Sequence, residues 1–412
     1  MLLWHRLLYK PRQTLARRVA FQIHLWCGVG LGLYMALIGL SGSALVFRSE
    51  IERALRPKLY VLHPGATSSA RPTLDQLLHT ATSALPDWQP RGFEQLASSP
   101  STMPVQPVVL YMMPRPGHAV FAPHSFTPDQ LLVYLDPYSG ALLGARSRYA
   151  GVMGLAANLH YYLLAGERGY VVNGVLAIAF LGVALTGWIL WWPGVSRAIS
   201  ALRIHGLRRS LHGGRSNWRR FNWDLHATGG FWSNPALIAV IATGIFFVFP
   251  QPILRGLAFV THTDPDVIRA WYSAPTLPLR PLGGELITVQ DAWRAAADSL
   301  PQGAYVDYLA LPSEPGNSFE AIAYYPHSAP YAQPFRVYIN PFDASPMQQL
   351  DSRSLPLVMR AVLYVYAVHF GRFAGVVSRV LWFLLGLFPT VLLVTGLIMW
   401  WSRSLRRKLK RH

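Results

Sequence analysis

Four histidines carry the pattern with chemical content. His24 lies in RRVAFQIHLWCG (17–28), and that stretch returns 202 residues later as RRFNWDLHATGG (219–230), with His226 in the matching place. His160 and His369 form a second pair 209 residues apart, the same offset that relates TGWILWW (186–192) to TGLIMWW (395–401). Ser41-Gly42 likewise answers Thr243-Gly244, so the chain reads as two tandem copies of one unit, each with two histidines at matched places. A single histidine beside a membrane surface is ordinarily a packing or headgroup residue. Four at repeat-matched positions, where most other polar positions differ, point to ligands. Paired by repeat symmetry as His24 with His226 and His160 with His369, two imidazoles on different helices can hold both axial positions of a haem iron.

The rest of the inventory narrows the choice. Cys27 is the only cysteine, which excludes an internal disulfide framework, thiolate zinc and iron–sulfur sites and a C-x-x-C-H haem attachment. No H-E-x-x-H, Walker-type loop, dinucleotide fingerprint or Ser/His/Asp signature is present, so no catalytic residue is assigned. The other ten histidines (5, 63, 79, 118, 124, 205, 212, 262, 327 and 412) lack metal-ligand spacing and read as surface residues. Two arginine pairs, Arg17-Arg18 and Arg219-Arg220, precede His24 and His226 by about two turns, where they could neutralise haem propionates. Small residues follow on the same helix face, Cys27 and Gly28 after His24 and Gly229 and Gly230 after His226, with room for a macrocycle.

The elements that must position these histidines are membrane spans. The 412 residues are 52% hydrophobic and 14% charged, too apolar for a soluble protein. The net charge of +18 is concentrated in residues 1–20, 193–224 and 402–412, which hold five, seven and six Lys/Arg with Asp224 the one acid among them. All three flank apolar runs, the positive-inside pattern of cytoplasmic loops and not a nucleic-acid surface. The expected plan is a cytoplasmic tail and first span (1–47), an outer α+β domain (48–150), a helix extension and second span (151–192), a basic loop (193–224), a third span (225–250), a second outer domain (251–355), a helix extension and fourth span (356–401) and a basic tail (402–412). The apolar run after residue 20 is too long for a cleaved signal, so the first span reads as an uncleaved anchor. Within the outer domains, Leu74–Leu85 and Val289–Leu300 have helical periodicity. Residues 108–113, 131–136, 319–325 and 335–339 read as strands of an antiparallel sheet. Both termini then lie inside, with His24 and His226 near the inner face and His160 and His369 near the outer one.

At these residues the chain resembles the PepSY-associated transmembrane family, which includes FoxB-type siderophore reductases of bacterial inner membranes. The likeness rests on the Arg-Arg and His24 start with its S-G-S-x-L-x-F end, on Leu159-His160 with TGWILWWP, on Asp224-Leu225-His226, and on Val368-His369 with TGLIMWW. It extends to the outer domains, which look like periplasmic PepSY modules closing on D-P-x-x-G, here Asp136 to Gly140; the second copy departs, reading Asn340-Pro341-Phe342-Asp343-Ala344. The resemblance implies two haem b groups, ligated by His24/His226 on the cytoplasmic side and His160/His369 on the periplasmic side. It implies electron passage from a cytoplasmic or membrane donor to a periplasmic ferric siderophore, whose iron leaves on reduction. Two other functions suit a membrane protein of this layout: a PepSY-type regulator or anchor binding a periplasmic protein, and an iron-siderophore transporter. The spans lack the buried Asp, Glu or Lys that coupled transport needs.

Overall fold

A computed structural model describes Tyr9, Pro275 and residues 14–63, 71–94, 106–116, 130–193, 218–272, 285–314, 317–325 and 335–409. Of the basic loop expected at 193–224, residues 194–217 lie outside these residues, as do His5, His118, His124, His205, His212, His327 and His412, whereas 218–224 begin the helix of the third span. In chain order the elements begin with α1 (Leu15–Val46), α2 (Arg48–Leu55), α3 (Leu74–Ala84), β1 (Trp88–Glu94), β2 (Val108–Pro114), β3 (Leu131–Leu135), β4 (Leu142–Ser147), α4 (Gly151–Tyr162) and α5 (Gly166–Trp191). They continue with α6 (Trp218–Val248), α7 (Pro250–Thr261), α8 (Pro265–Tyr272), α9 (Val289–Asp298), β5 (Tyr305–Ala310), β6 (Phe319–Tyr324), β7 (Phe335–Ile339), β8 (Pro346–Asp351), α10 (Leu357–His369) and α11 (Gly375–Leu409).

Helices α1, α5, α6 and α11 are each long and apolar enough to cross a membrane. They form a ring in which α1 packs on α11 and α5, and α6 packs on α5 and α11, so α1 and α6 face each other diagonally. Small residues set the closest approach. A Cβ on Gly39 would fall 2.3 Å from the carbonyl oxygen of Gly386, and one on Gly32 would overlap Leu393. Ser43 Oγ adds a hydrogen bond to the Phe383 carbonyl at 2.8 Å across the same α1–α11 contact.

The helix extensions expected before the second and fourth spans are separate helices. After α4 the backbone enters the left-handed region at Leu163 and Leu164 (φ 49° and 59°) and at Gly166. Asn173 of α5 ties the turn by donating to the His160 carbonyl at 2.8 Å. After α10 the break falls at Gly371 and Gly375, both with positive φ. A continuous helix would have carried His160 and His369 along the span axes. The breaks let α4 pack on α1 and α5, and α10 on α6, which turns both histidines into the bundle.

Beyond the same end of the spans, the strands form one antiparallel sheet ordered β4-β3-β2-β1-β5-β6-β7-β8. Two outer domains were expected; their four-stranded halves are instead joined where β1 pairs β5, with Gly92 opposite Ala310, Phe93 opposite Leu309 and Glu94 opposite Tyr308. The physical reason is edge satisfaction: each half alone would leave its first strand with unpaired backbone groups. Helices α3 and α9 cover one face and share a single core with it, in which Leu77, Phe93, Leu110, Ala292, Leu309 and Val337 are buried together. Their N-termini cap each other. Asp75 accepts from the Val289 and Gln290 amides at 2.9 and 3.0 Å, and Gln290 Oε1 accepts from the Leu74 amide at 3.0 Å. The strands β1, β4, β5 and β8 carry weak period-two patterns, interrupted by proline, glycine or bulges, and stand outside the sequence-based assignment.

The departure at Asn340 leaves the turn intact. Asp136 Oδ1 accepts from the Tyr138 amide at 2.8 Å, and Asn340 Oδ1 accepts from the Phe342 amide at 3.0 Å. Gly140 closes the first turn with φ 74°, and Ala344 takes the same place with φ 59°. A side-chain carbonyl oxygen suffices for an Asx-turn, so aspartate and asparagine are interchangeable there.

Candidate functional site

The four histidines meet in two pairs. The His24 and His226 ring centres are 6.3 Å apart with planes at 87°, and those of His160 and His369 are 6.2 Å apart with planes at 57°. His24 and His226 come from the diagonal helices α1 and α6, so their rings meet across the bundle interior.

Each ring is held by a hydroxyl–glycine step on a facing helix. His24 Nδ1 lies 3.0 Å from the Val183 carbonyl and 3.3 Å from Thr186 Oγ1. His160 Nδ1 lies 3.1 Å from the Ile38 carbonyl and 3.2 Å from Ser41 Oγ. His369 Nδ1 lies 3.1 Å from the Val240 carbonyl and 2.9 Å from Thr243 Oγ1, and His226 Nδ1 lies 2.9 Å from Thr395 Oγ1. The glycine that follows each hydroxyl residue gives the ring its space. A Cβ on Gly42 would sit 2.8 Å from His160 Cε1, and one on Gly187, Gly244 or Gly396 would sit 3.3 to 3.4 Å from the Cε1 of His24, His369 or His226.

This arrangement fixes the tautomer. The Thr186 hydroxyl donates to the Gly182 or Val183 carbonyl, and Ser41, Thr243 and Thr395 donate in the same way to carbonyls three and four residues back. With its proton engaged on its own helix, each hydroxyl can only accept from the histidine, and a backbone carbonyl is an obligate acceptor. Nδ1 therefore carries the ring proton, and Nε2 keeps its lone pair, the form in which imidazole binds a metal. The spacing agrees. A metal–imidazole bond of about 2 Å, plus about 1.1 Å from Nε2 to the ring centre, places two trans-ligated rings about 6.2 Å apart. Each donor pair would suit a metal ion that takes two neutral imidazoles. Among the described residues there is no group of three or more His, Cys, Asp or Glu suited to a metal ion.

The remaining expected site residues are placed differently. Arg17 donates to the carbonyls of Ile189, Leu190 and Trp192 and so caps the C-terminal end of α5. Arg18 is exposed. Arg219 lies over the Trp218 ring, and Arg220 is exposed with Asp224 at 3.6 Å. A propionate role for Arg17 competes with this cap. Gly28 faces open space, but Gly229 and Gly230 pack on Phe388 and Leu392 of α11, so their lack of a side chain serves helix contact. His63 pairs with buried Asp136 at 3.0 Å. The residues that the histidine pattern alone did not single out are the four hydroxyl–glycine steps. Their signal lay in the sequence, since Ser41-Gly42, Thr243-Gly244, Thr186-Gly187 and Thr395-Gly396 are themselves repeat-matched.

A four-helix bundle of membrane-spanning length, with two interior imidazole pairs and a sheet module at one end, defines the class as a helical membrane protein. A model of the PepSY-associated TM region matches residues 21–403, and the chain belongs to that family. A search of curated proteins finds no match.

Proposed function

We propose that this protein is a diheme electron conduit of the bacterial inner membrane. It passes electrons from a cytoplasmic-side donor to a periplasmic ferric siderophore or similar ferric chelate, from which iron is then released. Haem b is held by His24/His226 on the cytoplasmic side and by His160/His369 on the periplasmic side. The observation that carries the reading is the pair of imidazole–imidazole separations, 6.3 and 6.2 Å, combined with Nδ1 anchoring of all four rings. Both termini are cytoplasmic, by the clustering of basic residues, and the sheet module is periplasmic. The two halves are copies of one unit.

When bound, a haem at each pair supplies reversible one-electron chemistry at iron. The chain's residues do the rest. The Nδ1–H bonds to carbonyls and hydroxyls fix each imidazole's tautomer, hold the ring aimed inward and raise its basicity as a ligand. The apolar spans exclude water, and Phe247 packs 4.9 Å from the His369 ring on the outer side. At the acceptor, one electron converts ferric to ferrous iron; no bond to the protein forms, and hard oxygen ligands hold the reduced metal less tightly.

The test is an absorption spectrum of detergent-purified protein before and after dithionite. About two haems per chain by pyridine haemochrome, with sharp reduced α and Soret bands, are expected. A colourless protein from a haem-replete host overturns the proposal and favours a non-enzymatic regulator. His226→Ala should lose about half of the haem and keep the outer pair.

A further inference from the structure

The face of the sheet turned away from α3 and α9 carries a cavity of about 320 Å³ at the seam between the two halves, lined among others by Arg91, Glu94, Tyr111, Gln130, Arg148 and Tyr308. A backbone irregularity builds it. In the β1–β2 pairing Pro90 lies opposite Met112 and Gly92 opposite Tyr111, so Arg91 is an extra residue, a bulge. Arg91 and Glu94 are three apart and would point to opposite faces of a regular strand; the bulge brings both to the same cavity.

The lining is short of one partner. Arg91 Nε is buried and has no hydrogen-bond partner, while the Arg91 carbonyl is satisfied by the Leu311 amide at 2.9 Å. Glu94, which lines the same cavity, is occupied: it accepts the Tyr111 hydroxyl. Arg148 lies over the Tyr111 ring at 5.7 Å and reaches Gln130 Oε1 at 3.3 Å. Asp307, the matching bulge residue of β5, has its carboxyl pushed up to about 6 by burial and by Glu94. Two guanidinium groups thus face a cavity whose lining holds one acid, Glu94, already engaged by the Tyr111 hydroxyl. Arg148 interacts electrostatically with Tyr161, and the Tyr161 ring lies 5.7 Å from that of His160.

We infer that this cavity is the acceptor site, and that it takes small, anionic, oxygen-ligated ferric chelates of the hydroxycarboxylate kind, with Arg91 as the principal anion-binding residue. Planar guanidinium donors match carboxylate oxygens, and the volume lies at the small end of ligand sites, about 300–1,000 Å³. The inference rests on the electron-conduit reading for its purpose, and its test is independent of electron transfer.

Gallium(III) citrate is the probe, because gallium mimics ferric iron and is not reduced. Calorimetric titration of full-length protein in nanodiscs should show binding that Arg91→Gln weakens by about tenfold or more, consistent with loss of a charge-assisted contact. Arg91→Lys should recover part of it, and both variants should keep the wild-type circular dichroism. Equal binding by wild type and Arg91→Gln, no binding by wild type, or tighter binding of a cationic gallium trihydroxamate than of the citrate would each overturn the assignment. Ferric citrate is then mixed with the dithionite-reduced protein. Binding that depends on Arg91 without haem reoxidation by any ferric chelate leaves the site standing and removes the reductase reading. Reoxidation by ferric citrate with unaltered rate in Arg91→Gln removes the site and leaves the reductase reading.

Discussion

Gly42 gives the sharpest test of how the imidazoles are held. A Cβ at this position would lie 2.8 Å from His160 Cε1, whereas ordinary contact begins at 3.4 Å, so the ring or its helix must yield by about 0.6 Å. Cε1 is bonded to Nε2, and the displacement passes directly to that nitrogen, the one proposed to bind the metal. Metal sites tolerate about 0.2 Å of ligand misplacement, so the shift exceeds the tolerance about threefold. Overpacking of this kind costs about 1–3 kcal/mol, equivalent to about 5- to 150-fold weaker retention of the outer group. Gly396 provides the internal control, because its Cβ would stand 3.4 Å from His226 Cε1 and needs no displacement. Gly42→Ala should therefore purify with about one haem per chain and Gly396→Ala with about two, by pyridine haemochrome on samples matched for circular dichroism. Full haem in Gly42→Ala, or equal loss in both variants, would refute the hydroxyl–glycine account.

Three further outcomes follow from the same geometry. Arg17→Ala should lower thermal stability by about 1–3 kcal/mol through loss of the α5 cap while leaving haem per chain unchanged; a fall in haem without a fall in melting temperature would restore the propionate role. Ala344→Gly should stabilise the protein by about 0.5–1 kcal/mol in thermal denaturation, because alanine is strained at φ 59° and glycine is not. Burial pulls the Asp136 carboxyl upward, but the Tyr138, His63 and Ser139 donors outweigh it and hold the group below the usual carboxylate value. A depressed folded value means the stabilisation is complete above the unfolded value and is lost as pH falls through the folded one. Stability should therefore decline below about pH 4, and Asp136→Asn should flatten that decline; an identical acid profile for the two proteins would count against it.

The helical half of the molecule was legible because its signals are long and redundant. Apolar runs of span length, flanked by clustered arginine and lysine, have no other solution in a bilayer, where backbone groups must bond within the segment. The outer strands at 108–114, 131–135, 319–324 and 335–339 were legible for the same reason on a smaller scale, being apolar and bounded by turn residues. The strands at 88–94 and 305–310 were not, because each contains a bulge that breaks the period-two pattern. Those two strands are the ones that join the halves. A rule that reads each domain separately cannot detect that its edge is satisfied by the other.

The sequence by itself determined the four spans, the family and the identity of the four histidines, because repetition at offsets of 202 and 209 residues is a property of the chain alone. Tertiary structure decided what makes those histidines usable as ligands. The left-handed breaks at Leu163, Leu164 and Gly371 turn two of them inward. Ser41, Thr186, Thr243 and Thr395 fix every ring's proton on Nδ1 from helices more than a hundred residues away in sequence. The physical reason is that a tautomer is set by the acceptor a ring nitrogen meets, and that meeting exists only once the helices have packed.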